Sequence, residues 1–252
     1  RNGQAVVGRG VVRLDGLRFG GLRWSIDGGD TWNAPVVQNF GFSNLFTPAV
    51  TFQGLSASGS SPATYVLVSG GRVTAQRNIF GTDTIPIGQQ IYQGLVSHRT
   101  GESLDVFGHA NHTVTGEMQT YTALTDWSSD AGGGVRYRPA ASLELVADGG
   151  FTRFRRRGAA GPETSVSGLA GSLWSFGRGY AQLNLHRYPL GRYPVYNFPY
   201  SDRAGVFAAG EFDLGARVRA FGGFEYGLSN LDPEASADLG AGVPPGTGAR
   251  GY

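Results

Sequence analysis

The stretch Ala216-Arg217-Val218-Arg219-Ala220-Phe221-Gly222-Gly223-Phe224-Glu225-Tyr226-Gly227-Leu228 separates into two sets by parity. Ala216, Val218, Ala220, Gly222, Phe224, Tyr226 and Leu228 fall on one set, and Arg217, Arg219, Phe221, Gly223, Glu225 and Gly227 on the other. Alternate residues of a strand face opposite sides, so this segment reads as a strand with one apolar and one charged face. The preceding segment repeats the pattern. Ala204, Val206, Ala208, Gly210 and Phe212 oppose Arg203, Gly205, Phe207, Ala209, Glu211 and Asp213. The short link Leu214-Gly215 makes the two a hairpin.

Further upstream, Leu143, Leu145, Ala147, Gly149 and Phe151 oppose Glu144, Val146, Asp148, Gly150 and Thr152. Leu104, Val106, Gly108 and Ala110 oppose Asp105, Phe107, His109 and Asn111. Val135 and Tyr137 oppose Arg136 and Arg138, and Tyr65, Leu67, Val73 and Ala75 oppose Arg72, Thr74 and Gln76. Helical spacing recurs nowhere. The pattern and its Gly, Pro and polar breaks predict strands near 4–14, 17–26, 48–57, 64–77, 88–98, 103–113, 129–138, 142–154, 165–176, 179–188, 203–213 and 216–228. Strands of this length exceed the ~5–6 residues usual in globular sheets and match the ~9–11 of tilted membrane-spanning strands. The links alternate between short and long along the whole chain, as periplasmic turns and external loops do.

Composition agrees with that class. The 252 residues include 42 glycines, no cysteine and a hydrophobic fraction of 40%. Disulfide frameworks and Cys-based metal sites are thereby excluded. Mean hydropathy is −0.18, as expected where only every second residue meets lipid. All 21 basic residues are Arg, offset by 19 acidic ones, and their scatter argues against nucleic acid as a partner. No run of 18 apolar residues provides a transmembrane helix. No charged-then-apolar leader follows Arg1, so the chain is expected to be a processed protein or a piece of a larger one.

In strand length, parity and loop alternation the chain resembles the porin-like class of outer-membrane β-barrels. The resemblance is one of pattern and covers most of the chain. It implies an all-β, antiparallel, up-and-down transmembrane barrel in one domain, 1–252, with about 12 visible strands and a Gram-negative-type outer membrane around it. The Pro- and Gly-rich stretch Pro244–Gly251 before Tyr252 does not alternate. The terminal strand of such a barrel is therefore expected to lie outside this sequence.

Expected lumen-lining residues are Arg72, Asp105, His109, Arg136, Arg138, Glu144, Asp148, Arg203, Glu211, Arg217, Arg219 and Glu225. Mixed charge of this kind suits a passive pore or export channel for polar solutes or a polymer. The same charges also suit a filled barrel that anchors surface loops and offers the long ones, 27–47, 189–202 and 229–250, to protein partners. Lipid is the expected surrounding partner, and no cofactor signature is present. Ser25, Asp27, Gly29, Thr31 and Trp32 match the S-x-D-x-G-x-T-W box of sialidase-like propellers. The box occurs once, so it is read as a turn in an external loop, with a soluble propeller as the alternative fold. His109 and His112, three apart on a strand, face opposite sides and form no metal pair. An outer-membrane hydrolase needs a Ser–His pair at the outer rim, which no spacing isolates. Arg153, Arg155, Arg156 and Arg157 form a basic strand end that neutralises lipid phosphate or draws anions to a mouth.

Overall fold

The computed structural model describes residues 10–32, 51–73, 90–114, 125–156, 158–189, 200–215, 218–231 and 246–251. They are all-β. Twelve long strands run up and down: β1 (Val11–Phe19), β2 (Leu22–Trp32), β3 (Thr51–Ser60), β4 (Thr64–Val73), β5 (Gln90–Thr100), β6 (Leu104–Val114), β7 (Thr125–Ala140), β8 (Leu143–Arg156), β9 (Glu163–Phe176), β10 (Gly179–Pro189), β11 (Tyr200–Gly215) and β12 (Val218–Leu231). A short β13 (Gly246–Gly251) follows. All belong to one sheet in chain order, each antiparallel to its neighbours. Among the described residues the sheet is not closed, for β1 pairs with β2 alone and β13 with β12 alone.

Links from odd to even strands span two or three residues, and links from even to odd strands span six to eighteen. A meander puts every short link at one end and every long link at the other. The expected sorting of connections is therefore observed.

Among the described residues only one sheet is present, yet one of its faces is buried, so the sheet curls and this is the inner face. Its composition is inverted relative to a water-soluble core. Among the described residues, sixteen buried side chains are polar or charged and nine are apolar. The outer face is apolar, with Leu55, Val68, Val96, Val106, Val135, Leu145, Phe151, Val166, Leu183 and Leu185 exposed. Outward aromatic positions stand mostly near the two strand ends, with Phe151 and Phe224 further in. Phe19, Trp24, Tyr137, Trp174, Phe176 and Phe212 lie toward the short links, and Tyr92, Trp127 and Tyr226 toward the long ones. The rings of Phe176 and Phe212 approach to 5.8 Å over Gly179, which pairs with both residues.

Five sequence expectations change. The first hairpin turns at Gly20-Gly21, not at Asp15-Gly16. Both turn glycines have positive φ, 60° and 75°, as a two-residue turn matched to strand twist requires. Gly16 (φ 82°) instead marks a bulge between Asp15 and Leu17. β1 and β2 therefore sit about five residues later than 4–14 and 17–26. The S-x-D-x-G-x-T-W segment is accordingly no loop turn. Ser25 to Trp32 lies within β2, paired with β3 throughout and with β1 as far as Gly29. β7 starts at Thr125 rather than 129, inside a stretch read as loop. Gly246–Gly251, read as non-strand, pairs with β12, because backbone hydrogen bonding needs no side-chain alternation. Finally, Arg72 lies on the outer face. Tyr65, Leu67 and Ser69 turn inward on β4, and exposed Val68 and Arg72 turn outward. Both faces of mid-β4 are apolar, so a charge at the strand end misassigned the parity.

Candidate functional site

The polar inner face is densest on β6, β7 and β8. β6 contributes Asp105, His109, Asn111 and Thr113, β7 Ser128 and Asp130, and β8 Asp148 and Thr152, all buried. At its centre stands the His109 ring, fully buried. Nε2 lies 2.8 Å from an Asp148 carboxylate oxygen, and Nδ1 lies 3.4 Å from one of Asp130. Nε2 and Asp148 share a hydrogen bond, and the contact of Nδ1 with Asp130 is longer. Asn111 Nδ2 donates to both Asp130 oxygens at 3.1 Å.

The reach from β6 to β8 depends on what β7 lacks. His109 pairs with Gly132, and a Cβ there would sit 2.9 Å from His109 Nε2 and 2.6 Å from the Gly149 carbonyl. At Gly134 a Cβ would sit 2.8 Å from the tip of the Phe107 ring. The inner-face glycines of β7 thus leave room for side chains of β6 to lie across it.

Toward the short links the charges pair among themselves. Arg99 Nε lies 3.1 Å from Asp105, whose other oxygen meets Arg138, and Arg136 Nε lies 2.7 Å from Glu144. Near the sheet edges the inner face is open to solvent. Arg13 pairs with Asp27 at 2.6 Å, and Arg219 pairs with Glu211 and Asp213, each at 2.9 Å. The Arg13 and Arg219 side chains are 60% and 63% exposed.

Of the residues expected to line the interior, Asp105, His109, Arg136, Arg138, Glu144, Asp148, Glu211 and Arg219 occupy the inner face and form these pairs. Arg72 does not. Arg217 lies outside the described residues, as do the side chains of Arg203 and Glu225. Ser25, Asp27, Gly29 and Thr31 share the inward parity of β2, and the Trp32 side chain lies outside the described residues. Sequence reasoning missed Asp130, Gln182, Asn184 and His186, all buried. The same parity reveals them: Gln182, Asn184 and His186 alternate with Ala181, Leu183 and Leu185.

His109 and His112 do face opposite sides, the first buried and the second half-buried on the outer face. Among the described residues no group of three or more His, Asp or Glu is arranged to hold a metal ion. A Ser–His contact does occur near the long-link end of the outer face, Ser129 Oγ to His112 Nδ1 at 2.7 Å. No carboxylate among the described residues orients the other ring nitrogen, as a Ser–His nucleophile system requires. The His112 ring lies instead between Tyr92 and Trp127, at 6.2 and 6.4 Å.

No protein-family model matches the chain, and no curated protein matches it.

Proposed function

We propose that the protein is an outer-membrane β-barrel of porin-like type, with a polar lumen that passes small polar solutes or a polymer. The observation that carries this reading is the inverted burial, polar within and apolar without. An apolar surface of this extent is not kept in water by a monomeric protein. It suits hydrocarbon, where a sheet crosses with its backbone groups paired strand to strand. The dimensions fit as well. An 11-residue strand such as β6 rises ~33 Å, which a tilt of ~40° reduces to the ~25 Å apolar band of such barrels. Aromatic positions flank that band at both ends.

Water inside the lumen is supported by two groups of residues. Thr152 Oγ1 and both amide atoms of Asn184 are buried with no hydrogen-bond partner among the described residues, and buried polar atoms of this kind are ordinarily met by water. Toward the open sheet edges the inward charges of Arg13, Arg219 and Asp213 are exposed and ion-paired. Reconstitution into a planar bilayer tests the reading. Stepwise conductance with weak ion preference is expected, because the lumen carries both signs of charge.

A second reading is favoured by the paired, buried charges of β6–β8. If they fill the lumen, the barrel anchors its long loops at a surface. Stable insertion with no conductance selects that reading over the pore.

A further inference from the structure

The outer face of β3–β8 is not evenly covered. Two adjacent cross-strand rows follow from the register: Leu55, Gly70, Tyr92, His112, Ser129 and Arg153, and beside it Ala57, Val68, Gly94, Ala110, Ala131 and Phe151. In the second row the small Gly94, Ala110 and Ala131 stand between Val68 and Phe151, beside the larger Tyr92 and His112 of the first, and both rows line a trough of about 850 Å³. Strands ~4.8 Å apart make it ~24 Å long. Its first row runs two to four residues from the long-link ends of its six strands.

One end of the trough is charged. Arg153 lines it, exposed and without an ion-pair partner among the described residues. The next outward residue of β8, Arg155, is by contrast already paired, with Asp126 of β7 at 3.5 Å. Next to Arg153 in the row, Ser129 and His112 are hydrogen-bonded to each other under the Tyr92 and Trp127 rings. An apolar trough whose lining holds one arginine, at a polar end, fits an amphiphile with a negative head and long hydrocarbon tails.

We propose that this trough is a binding site for one phosphate-bearing lipid of the leaflet nearest the long links. Its phosphate meets Arg153, and its acyl chain lies over Gly94, Ala110 and Ala131. The proposal rests on the membrane reading above. An unpaired arginine on a lipid-facing surface is tolerated near the interface and not at mid-depth, and guanidinium is suited to phosphate by geometry as well as charge. A second copy of this chain is a poorer occupant, because the carboxylate on this side of the sheet, Asp126, is already paired with Arg155.

The test uses the full chain in uncharged detergent, titrated with phosphatidylglycerol or with diacylglycerol of the same chains. Bound lipid is counted by native mass spectrometry. Wild type is expected to retain one phosphatidylglycerol and to hold diacylglycerol about tenfold more weakly, the ratio one charge-assisted contact supplies. Arg153→Gln is expected to remove the preference between the two lipids. Ala110→Leu, which fills the trough, is expected to weaken both. Ala170→Leu, an exposed outward position of β9, is expected to change neither. Vesicle flotation and the gel shift on boiling in SDS are recorded for every variant. If all variants insert and Arg153→Gln and Ala110→Leu bind as wild type does, the lipid site is overturned and the membrane reading stands. A dimer that Ala110→Leu abolishes also overturns it, in favour of a second copy. A wild type that fails to insert overturns both.

Discussion

The His109 ring holds three strands together through two carboxylates, so its removal is costly. His109→Ala leaves Asp130 and Asp148 buried without their shared partner. Breaking a buried pair in this way costs about 3–5 kcal/mol, and the urea midpoint of unfolding from detergent micelles is expected to fall accordingly. An unchanged midpoint would mean the two aspartates are met by solvent. Gly132→Val tests the same point from the other side. Its Cβ collides with the Gly149 carbonyl as well as with His109, and the backbone does not yield as a side chain does. Overpacking of this kind costs about 1–3 kcal/mol. The parity of Asp105, His109, Glu144 and Asp148 was legible in the sequence, because each alternates with apolar neighbours. The bond from His109 to Asp148 was not. It depends on cross-strand register and on the missing side chain of Gly132 in the intervening strand, neither of which periodicity along one strand reports.

Among the elements, the first hairpin shows where reading by pattern stops. Asp15-Gly16 has turn chemistry, and Gly16 does take a positive φ, yet the chain uses it for a bulge and turns at Gly20-Gly21. The distinction is made by pairing: Arg13 meets Asp27 and Leu14 meets Ile26 only in the later register. Gly21→Val is therefore expected to lower stability by about 1–2 kcal/mol, the penalty for an L-residue in the left-handed region. Gly21→Asn is expected to cost less, and equal losses for the two would contradict the turn. β4 fails for another reason, since valines and leucines on both faces remove the contrast that parity needs. β13 escapes notice because half of Gly246–Gly251 is glycine and its three side chains show no apolar–polar alternation. The sorting of links by end was legible, by contrast, because it depends on punctuation by Gly, Pro and polar clusters, although β7 and β11 run several residues past the lengths read for them.

For the molecule as a whole, the account turns on what faces outward. Ala147 lies exposed mid-strand on the outer face of β8. On the surface of a water-soluble protein Ala147→Arg would change stability by no more than about 0.5 kcal/mol. Facing hydrocarbon, the same change is expected to cost about 2–4 kcal/mol, read as a lowered urea midpoint for folding into vesicles. The most direct measurement is simpler. Protein unfolded in urea is diluted into phospholipid vesicles, washed at alkaline pH and floated on a density gradient. The account predicts that the chain rises with the vesicles and stays with them through the wash. A folded monomer left at the bottom of the gradient, soluble without detergent, would contradict it.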